Sequence, residues 1–350
     1  MLQPAINIDG ITITPDTLPL WQCGSNGIYA DLADFLKEWW SDSPTMELQT
    51  SGSTGIPQVV HASKEAMMAS AAATCRAFNL SPGSTALLCL PLRYIAGKMM
   101  VVRALTGGLR LITAEPSSTP LAELNTDIDF APLVPMQLAA TLGHPEAALH
   151  LARVRTILLG GSFINTPLEE QAQALPCSIF ASYGMTETLS HIALRAINGP
   201  QRSSWYTPLP GVSISLSAEG TLQITAPYLN IHNLATNDLA EIVKNGTFRI
   251  LGRADAVINS GGVKIQAEDI EHAIHRLTGL HVLALPLPHA ILGQCVALLW
   301  EGSGDAERAL HSACDTLPKY HRPHLIKRVI LPRTASGKIA RKQAAALLVD

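Results

Sequence analysis

Short apolar runs that stop at glycine or hydroxyl residues, with helical patterns between them, restrict this chain to an α/β layer fold. "TALLCLPL", "RLITA", "RTILLGG" and "CSIFASYG" read as buried strands. "DLADFLKEWW", at 31–40, has helical apolar spacing, and a helical pattern runs from the end of "TALLCLPL" to about residue 106. "SKEAMMASAAATCRAF" reads as an Ala-rich helix with Ser63 as N-cap and Glu65 in its first turn. Strands alternating with helices predict a largely parallel sheet. Ligands gather at the carboxyl ends of strands in such sheets, and the glycine and hydroxyl residues of this chain sit at those ends.

From about residue 211 the pattern changes. "VSISLSAEGTLQIT" alternates with period two across Glu219-Gly220, and "AEIVKNGTFRILGR" carries Asn245-Gly246, a strong hairpin signal. Beyond "GRAD" the sequence predicts a smaller α+β unit. Its helices are "AEDIEHAIHRL" and "DAERALHSACDTL", and its strands include "HVLALPLP" and "CVALLW". The boundary is expected near Asp255, giving domains 1–254 and 255–350. A length of 350 residues suits about two domains.

At 15% charged and 47% hydrophobic residues, the chain predicts a well-buried core. A net charge of -3, with dispersed cations, argues against a nucleic acid partner. The six cysteines contain no C-x-x-C pair, and a reduced, cytoplasmic setting is expected. The N-terminus has neither a basic region nor an apolar core, which argues against a signal peptide. No apolar run is long enough to predict a membrane span.

"LQTSGSTGIPQ" concentrates hydroxyl and glycine residues from Thr50 to Gly55. Backbone N–H groups and hydroxyls in such a run can wrap an anion, although a plain solvent loop also fits. It is not a Walker loop, and "TASGKIAR" lacks that spacing too. In "SYGMTET", Tyr183 could stack on a base, Thr186 could bond a phosphate, and Glu187 is a hard oxygen ligand suited to Mg²⁺. A turn leading into a helix cap would account for the same residues. Asp238 in "TNDLAEI" and Arg253 with Asp255 in "GRAD" offer an acceptor and a donor for ribose hydroxyls, or a hairpin rim with an ion pair. His272 and His275 share a helix face, where a solvated face is expected over a metal pair. Serine-hydrolase and dinucleotide fingerprints do not occur.

Taken together and in order, "TSGSTGIPQ", "YGMTET", "TNDLAEI", "GRADAVINSGGVKIQAEDIE" and "PRTASGKIAR" resemble the signature stretches of the acyl-adenylate-forming superfamily. That superfamily comprises acyl-CoA synthetases, adenylation domains and luciferases. The resemblance implies a large N-terminal α/β domain with mixed, largely parallel sheets and a small β-rich subdomain, followed by a small mobile α+β C-terminal domain. It implies ATP, Mg²⁺ and CoA. Thr50, Ser51, Gly52, Ser53, Thr54 and Gly55 would hold the ATP phosphates, and Tyr183 would stack on adenine. Thr186 and Glu187 would serve phosphate and Mg²⁺, with Glu187 the metal ligand. Asp238 and Arg253 would hold ribose, and Asp255 would be the hinge. Ser260, Gly261 and Gly262 would line a pantetheine tunnel, and Lys338 would be the mobile catalytic lysine.

Two features depart from the family pattern. Only Met1–Gln49 precede the phosphate loop, where relatives carry a longer region. Gln58 stands where the loop usually ends in lysine, which leaves Lys338 as the expected cation. Within the superfamily, "LPLRYIAGKMMVVRAL" and "SYGMTETLSHIALR" are similar to compact o-succinylbenzoate–CoA ligases of menaquinone synthesis. The expected acid therefore carries a second carboxylate. Tyr94 and Lys98, at i and i+4 of a predicted helix, are expected to share a face, with Lys98 a cation in apolar surroundings. The rival readings are an adenylation enzyme that loads a carrier-protein thiol and a non-catalytic acyl-nucleotide binding protein.

Overall fold

The structure, a computed structural model, describes residues 5–21, 27–50, 58–333 and 339–348. Among them, nine strands form the principal sheet. Their order is Thr207–Pro208, His191–Ala196, Ser178–Gly184, Val154–Leu159, Ile128–Leu133, Thr85–Leu88, Arg110–Thr113, Ile6–Ile8 and Ile11–Ile13. From Ser178–Gly184 across to Ile6–Ile8 the pairing is parallel, with antiparallel strands added at both edges. All four short apolar runs of the sequence lie in this parallel part, as expected.

Helices Lys64–Ala77 and Ile95–Gly107 pack together beside the sheet. Ser63 caps the first: its Oγ accepts the Ala66 N–H at 3.3 Å. The second is apolar nearly all round, with Met99 to Val102, Ala104 and Leu105 all buried, as befits a helix enclosed between layers. Burial of each such large apolar side chain contributes about 1.5–3 kcal/mol. Gly97 lets this helix start directly against the preceding turn, since a Cβ there would meet the Leu90 carbonyl oxygen at 2.7 Å.

Strands Ser213–Leu216, Thr221–Ala226, Ile231–Ile242 and Phe248–Arg253 form an antiparallel sheet. Both predicted turns are present. Gly220 and Gly246 take φ of +82° and +80°, and the Gly246 N–H donates to the Val243 carbonyl at 2.8 Å. After Arg253 comes a five-stranded sheet of Val257–Ser260, Val263–Gln266, Val282–His289, Gly293–Trp300 and Leu325–Arg328. Helices Ala267–Thr278 and Glu307–Asp315 close over it on Ile258, Ile270, Ile274, Leu298, Trp300 and Leu310. The buried clusters of this part draw only on residues from Ala256 onward. The five described cysteines are free and buried. No helix among the described residues is long and apolar enough to cross a membrane.

Candidate active site

The carboxyl ends of the parallel strands meet the start of helix Ile95–Gly107 around a cavity of about 210 Å³. Val134, Gly160, Ser182, Thr186, His191 and Arg103 are among its lining residues. The turn that closes it is built by Thr188, a buried residue the sequence reading passed over. Its Oγ1 accepts the Met185 N–H at 2.9 Å and donates to the Ser190 carbonyl at 2.7 Å. Gly184 allows the chain to double back, because a Cβ there would lie 2.6 Å from the His191 Cα. This turn sets Thr186 on the cavity wall and leaves Glu187 exposed beside it.

The nucleotide-binding candidates form one connected chain of contacts. Strand pairing places Asp238 opposite Arg253. The Tyr183 hydroxyl donates to Asp238 Oδ2 at 2.6 Å, and Arg253 Nη1 donates to Asp238 Oδ1 at 3.2 Å. Arg253 also grips Asp255 with two bonds of 2.8 Å. Bidentate pairs of this kind are the strong charge-assisted ones. They hold the Asp255 carboxyl below the usual carboxylate range. Burial and the adjacent Asp238 carboxylate push the Tyr183 phenol well above its ordinary value. The Tyr183 ring meets Phe248 edge-on at 5.3 Å and Tyr206 at 6.0 Å, so its orientation is fixed by packing as well as by Asp238.

Among the described residues, no group of three or more His, Cys, Asp and Glu side chains stands ready to hold a metal. An isolated exposed carboxylate such as Glu187 still fits Mg²⁺, which characteristically takes one or two carboxylates together with substrate phosphates. Strands Thr45–Thr50 and Gln58–Ser63 pair antiparallel up to Thr50↔Gln58. Ser51 to Gly55 between them, and Lys338, lie outside the described residues, as does the Thr50 side chain.

The expected acid-binding pair is not assembled at the cavity. The Lys98 amine donates to the Glu47 carbonyl at 3.0 Å and lies 3.9 Å from Glu38 Oε2. It belongs to a separate groove lined by Asp31, Asp34, Glu38 and Glu47. Tyr94 is the N-cap of its helix, with the Arg93 guanidinium 4.9 Å from its ring. It is not among the cavity-lining residues. The partners of this half-buried cation are thus a backbone carbonyl and a carboxylate of the neighbouring elements.

Arg103, five residues on, is the cation that lines the cavity. It is 3% exposed, and no carboxylate pairs with it among the described residues. Its Nη1 donates to the Met100 sulfur at 3.2 Å, its Nη2 donates to Ser190 Oγ, and its Nε has no partner among the described residues. Burial pushes its pKa down to about 10, which leaves it charged at neutral pH. A charge held so is costly unless an anion joins it.

Ser260 is fully buried, and its hydroxyl has no partner among the described residues. Gly261 and Gly262 take φ of +58° and +84° and turn the chain between Val257–Ser260 and Val263–Gln266. This two-residue turn has the positive φ pair that favours glycine. The His272 and His275 face is not solvated as expected. The His272 ring stacks on Phe163 at 4.1 Å, and His275 Nε2 lies 3.1 Å from Asn165 Nδ2.

The AMP-binding enzyme family matches residues 22–227. The 2-succinylbenzoate–CoA ligase of Lactococcus lactis is 31% identical over 278 residues, covering 73% of this chain and 61% of that protein. The chain thus spans about three fifths of the length of that curated relative. The acyl-CoA synthetase (AMP-forming)/AMP-acid ligase II-like protein of Dyadobacter fermentans is 35% identical, with a TM-score of 0.64 over 95% of this chain and 97% of that one. The o-succinylbenzoate CoA synthetase of Bacillus subtilis, solved with its acyl-adenylate intermediate, shares the fold at 23% identity. Its TM-score is 0.73, over 85% of this chain and 68% of that one.

Proposed function

The chain belongs to the AMP-binding enzyme family, and from that premise we propose that it is an ATP-dependent acid–thiol ligase acting on o-succinylbenzoate and CoA. One observation carries the choice of acid: Arg103 lines the cavity as a buried cation with no carboxylate partner among the described residues. An aromatic dicarboxylate would put one carboxylate against Arg103 and present the other to ATP. The Lactococcus relative carries the name of that activity.

In the first step the substrate carboxylate attacks the α-phosphorus of ATP, giving an acyl-adenylate and pyrophosphate. The CoA thiolate then attacks the acyl carbon, and AMP leaves. Positioning and charge stabilisation carry the first step. The loop of Thr50 to Gly55 and Thr186 would hold phosphates, while Tyr183 fixes one side of the nucleotide pocket. Asp238 and Arg253 would bond the ribose. Glu187 would hold Mg²⁺, which offsets phosphate charge when bound. The second step needs Lys338 withdrawn and a route for the thiol. Residues 255–350 would supply both by turning about Asp255, bringing Ser260, Gly261 and Gly262 to the pantetheine arm.

The test is product formation with ATP, Mg²⁺ and a panel of acids, with and without CoA. The reading expects a CoA thioester from 2-succinylbenzoate and poor turnover of benzoate and fatty acids. Equal turnover of benzoate would overturn the acid assignment. Pyrophosphate release with no thioester on adding CoA would favour a carrier-protein acceptor. The Lys98 position makes its own prediction. Lys98→Met should change KM for the acid no more than about twofold, as for a substitution outside a binding site. Steady-state kinetics would check this, and a tenfold rise would return Lys98 to the site.

A further inference from the structure

Behind Arg103 lies a line of polar groups that its role as an anion partner does not by itself require. Arg103 Nη2 donates to Ser190 Oγ. The Ser190 hydroxyl, already accepting, has one proton to give, and His191 Nδ1 lies 3.3 Å away. His191 Nε2 lies 3.5 Å from Thr74 Oγ1, and the Thr74 hydroxyl donates to the Ser70 carbonyl at 3.2 Å. The Ser70 carbonyl can only accept, and its contact with Thr74 is the shorter of the two that Thr74 makes, which sets the direction of the line from that end. Thr74 gives its proton to Ser70 and accepts from His191 Nε2–H. His191 Nδ1 is then bare and accepts from Ser190, whose oxygen accepts from Arg103. Only the neutral imidazole protonated on Nε2 satisfies every group. A cationic ring would place two donors where one acceptor is needed.

We propose that His191 is a positioning residue: as a neutral Nε2–H imidazole it orients Ser190, and through it the Arg103 guanidinium, toward the acid. This inference rests on the ligase reading for its kinetic part only. The site suits a neutral ring. His191 is 5% exposed, within 6.3 Å of the Phe78 ring, and the buried Arg103 charge opposes a second cation nearby. Thr74 and Ser70 are buried on helix Lys64–Ala77, which packs on helix Ile95–Gly107, so the line ties the two helices beside the cavity that Arg103, Ser190 and His191 line. Fixing a donor in advance lowers the cost of ordering it on binding.

The test combines a spectrum with kinetics. In the uniformly ¹⁵N-labelled protein, the long-range ¹⁵N–¹H histidine spectrum, assigned by loss of one signal set in His191→Asn, should report the Nε2–H tautomer at neutral pH. His191→Leu removes both ring contacts and should raise KM for 2-succinylbenzoate on the order of ten- to a hundredfold, with KM for ATP held within about twofold. His191→Asn keeps an acceptor near Ser190 and should recover most of that loss. Ser190→Ala, which cuts the line next to Arg103, should reproduce His191→Leu. A merely structural role would instead lower the unfolding midpoint and raise both KM values in His191→Leu and His191→Asn alike, overturning the proposal. The Nδ1–H tautomer or a cationic ring would overturn it too. If no acid gives turnover, the ligase reading fails, and the tautomer still decides whether the line is built as described.

Discussion

Replacing Arg103 by leucine is expected to raise KM for the dicarboxylic acid about a hundredfold or more, while the protein unfolds at the same or a higher temperature. The two effects have one cause. Arg103 sits almost fully out of water; among the described residues its partners are a sulfur and one hydroxyl, and its Nε has none. Removing one member of a buried, hydrogen-bonded charge pair typically costs about 2–5 kcal/mol of binding, a factor on the order of 30 to several thousand. In the protein itself the same charge is desolvated with no carboxylate beside it among the described residues, so exchanging it for an apolar residue removes a cost and not a support. Arg103→Lys should fall between, because an ammonium keeps the charge but loses the planar fork. Steady-state kinetics with 2-succinylbenzoate and thermal unfolding of the same samples would check both halves. An unchanged KM would remove Arg103 from the site. A midpoint lowered by several degrees would mean that the cation supports the fold.

Arg103 was illegible in the sequence for a geometric reason. Lys98 and Arg103 both interrupt the apolar "IAGKMMVVRAL", and neither carries a local signature. Lys98 drew attention through its spacing from Tyr94, yet the two cations lie about 140° apart around a helix. Ala96 and Arg103 are seven positions apart, about two helical turns, and both line the cavity. Which helix face meets the cavity is decided by the sheet, and a helix apolar nearly all round offers no polar face from which to read it. By contrast, Tyr183, Thr186, Asp238 and Arg253, proposed for the nucleotide, lie in contiguous stretches at strand ends and across one strand pair, and such stretches carry a pattern that can be read locally.

Among the strands, Thr85–Leu88, Arg110–Thr113, Val154–Leu159 and Ser178–Gly184 were legible as apolar runs. Ile128–Leu133 was not, because Asp129 and Pro132 break its run. Both have tertiary explanations. The Asp129 carboxylate accepts the Thr85 N–H at 2.8 Å. Pro132 lies beyond the Ala86↔Phe130 register with the neighbouring strand, where its missing N–H leaves no ladder bond unmade on that side. The histidine face of Ala267–Thr278 was misjudged in the same way: its partners, Phe163 and Asn165, are more than a hundred residues away in sequence.

Lys338→Ala is expected to collapse ATP–pyrophosphate exchange by a factor on the order of 10²–10³, the typical cost of one electrostatic contact to developing charge. Thioester formation from chemically made acyl-adenylate and CoA should meanwhile persist near the native rate. The lysine itself lies outside the described residues, and its sequence and its flanks support the role. In "TASGKIAR" a small-residue segment precedes the cation, and a lysine can reach past such a backbone as a point charge. The described residues on either side of that segment are pinned. Arg333 bridges Ile339 and donates to Glu301 at 2.8 Å. Arg341 grips Glu271 with bonds of 2.6 and 2.8 Å and donates to the Ala284 carbonyl at 3.1 Å. Gln58 is neutral, Arg253 is engaged with Asp238 and Asp255, and Arg103 is assigned to the far carboxylate. Lys338 is therefore the cation proposed to meet the α-phosphate. Removing it should spare the second step, which needs the lysine out of the way. Equal losses in both half-reactions would point to a folding or hinge defect and end the assignment, whereas a loss confined to the thiol step would reverse it. Arg341→Ala supplies the internal comparison: it frees the segment's C-terminal anchor without touching the lysine's charge, so it should slow the exchange reaction by less than Lys338→Ala does.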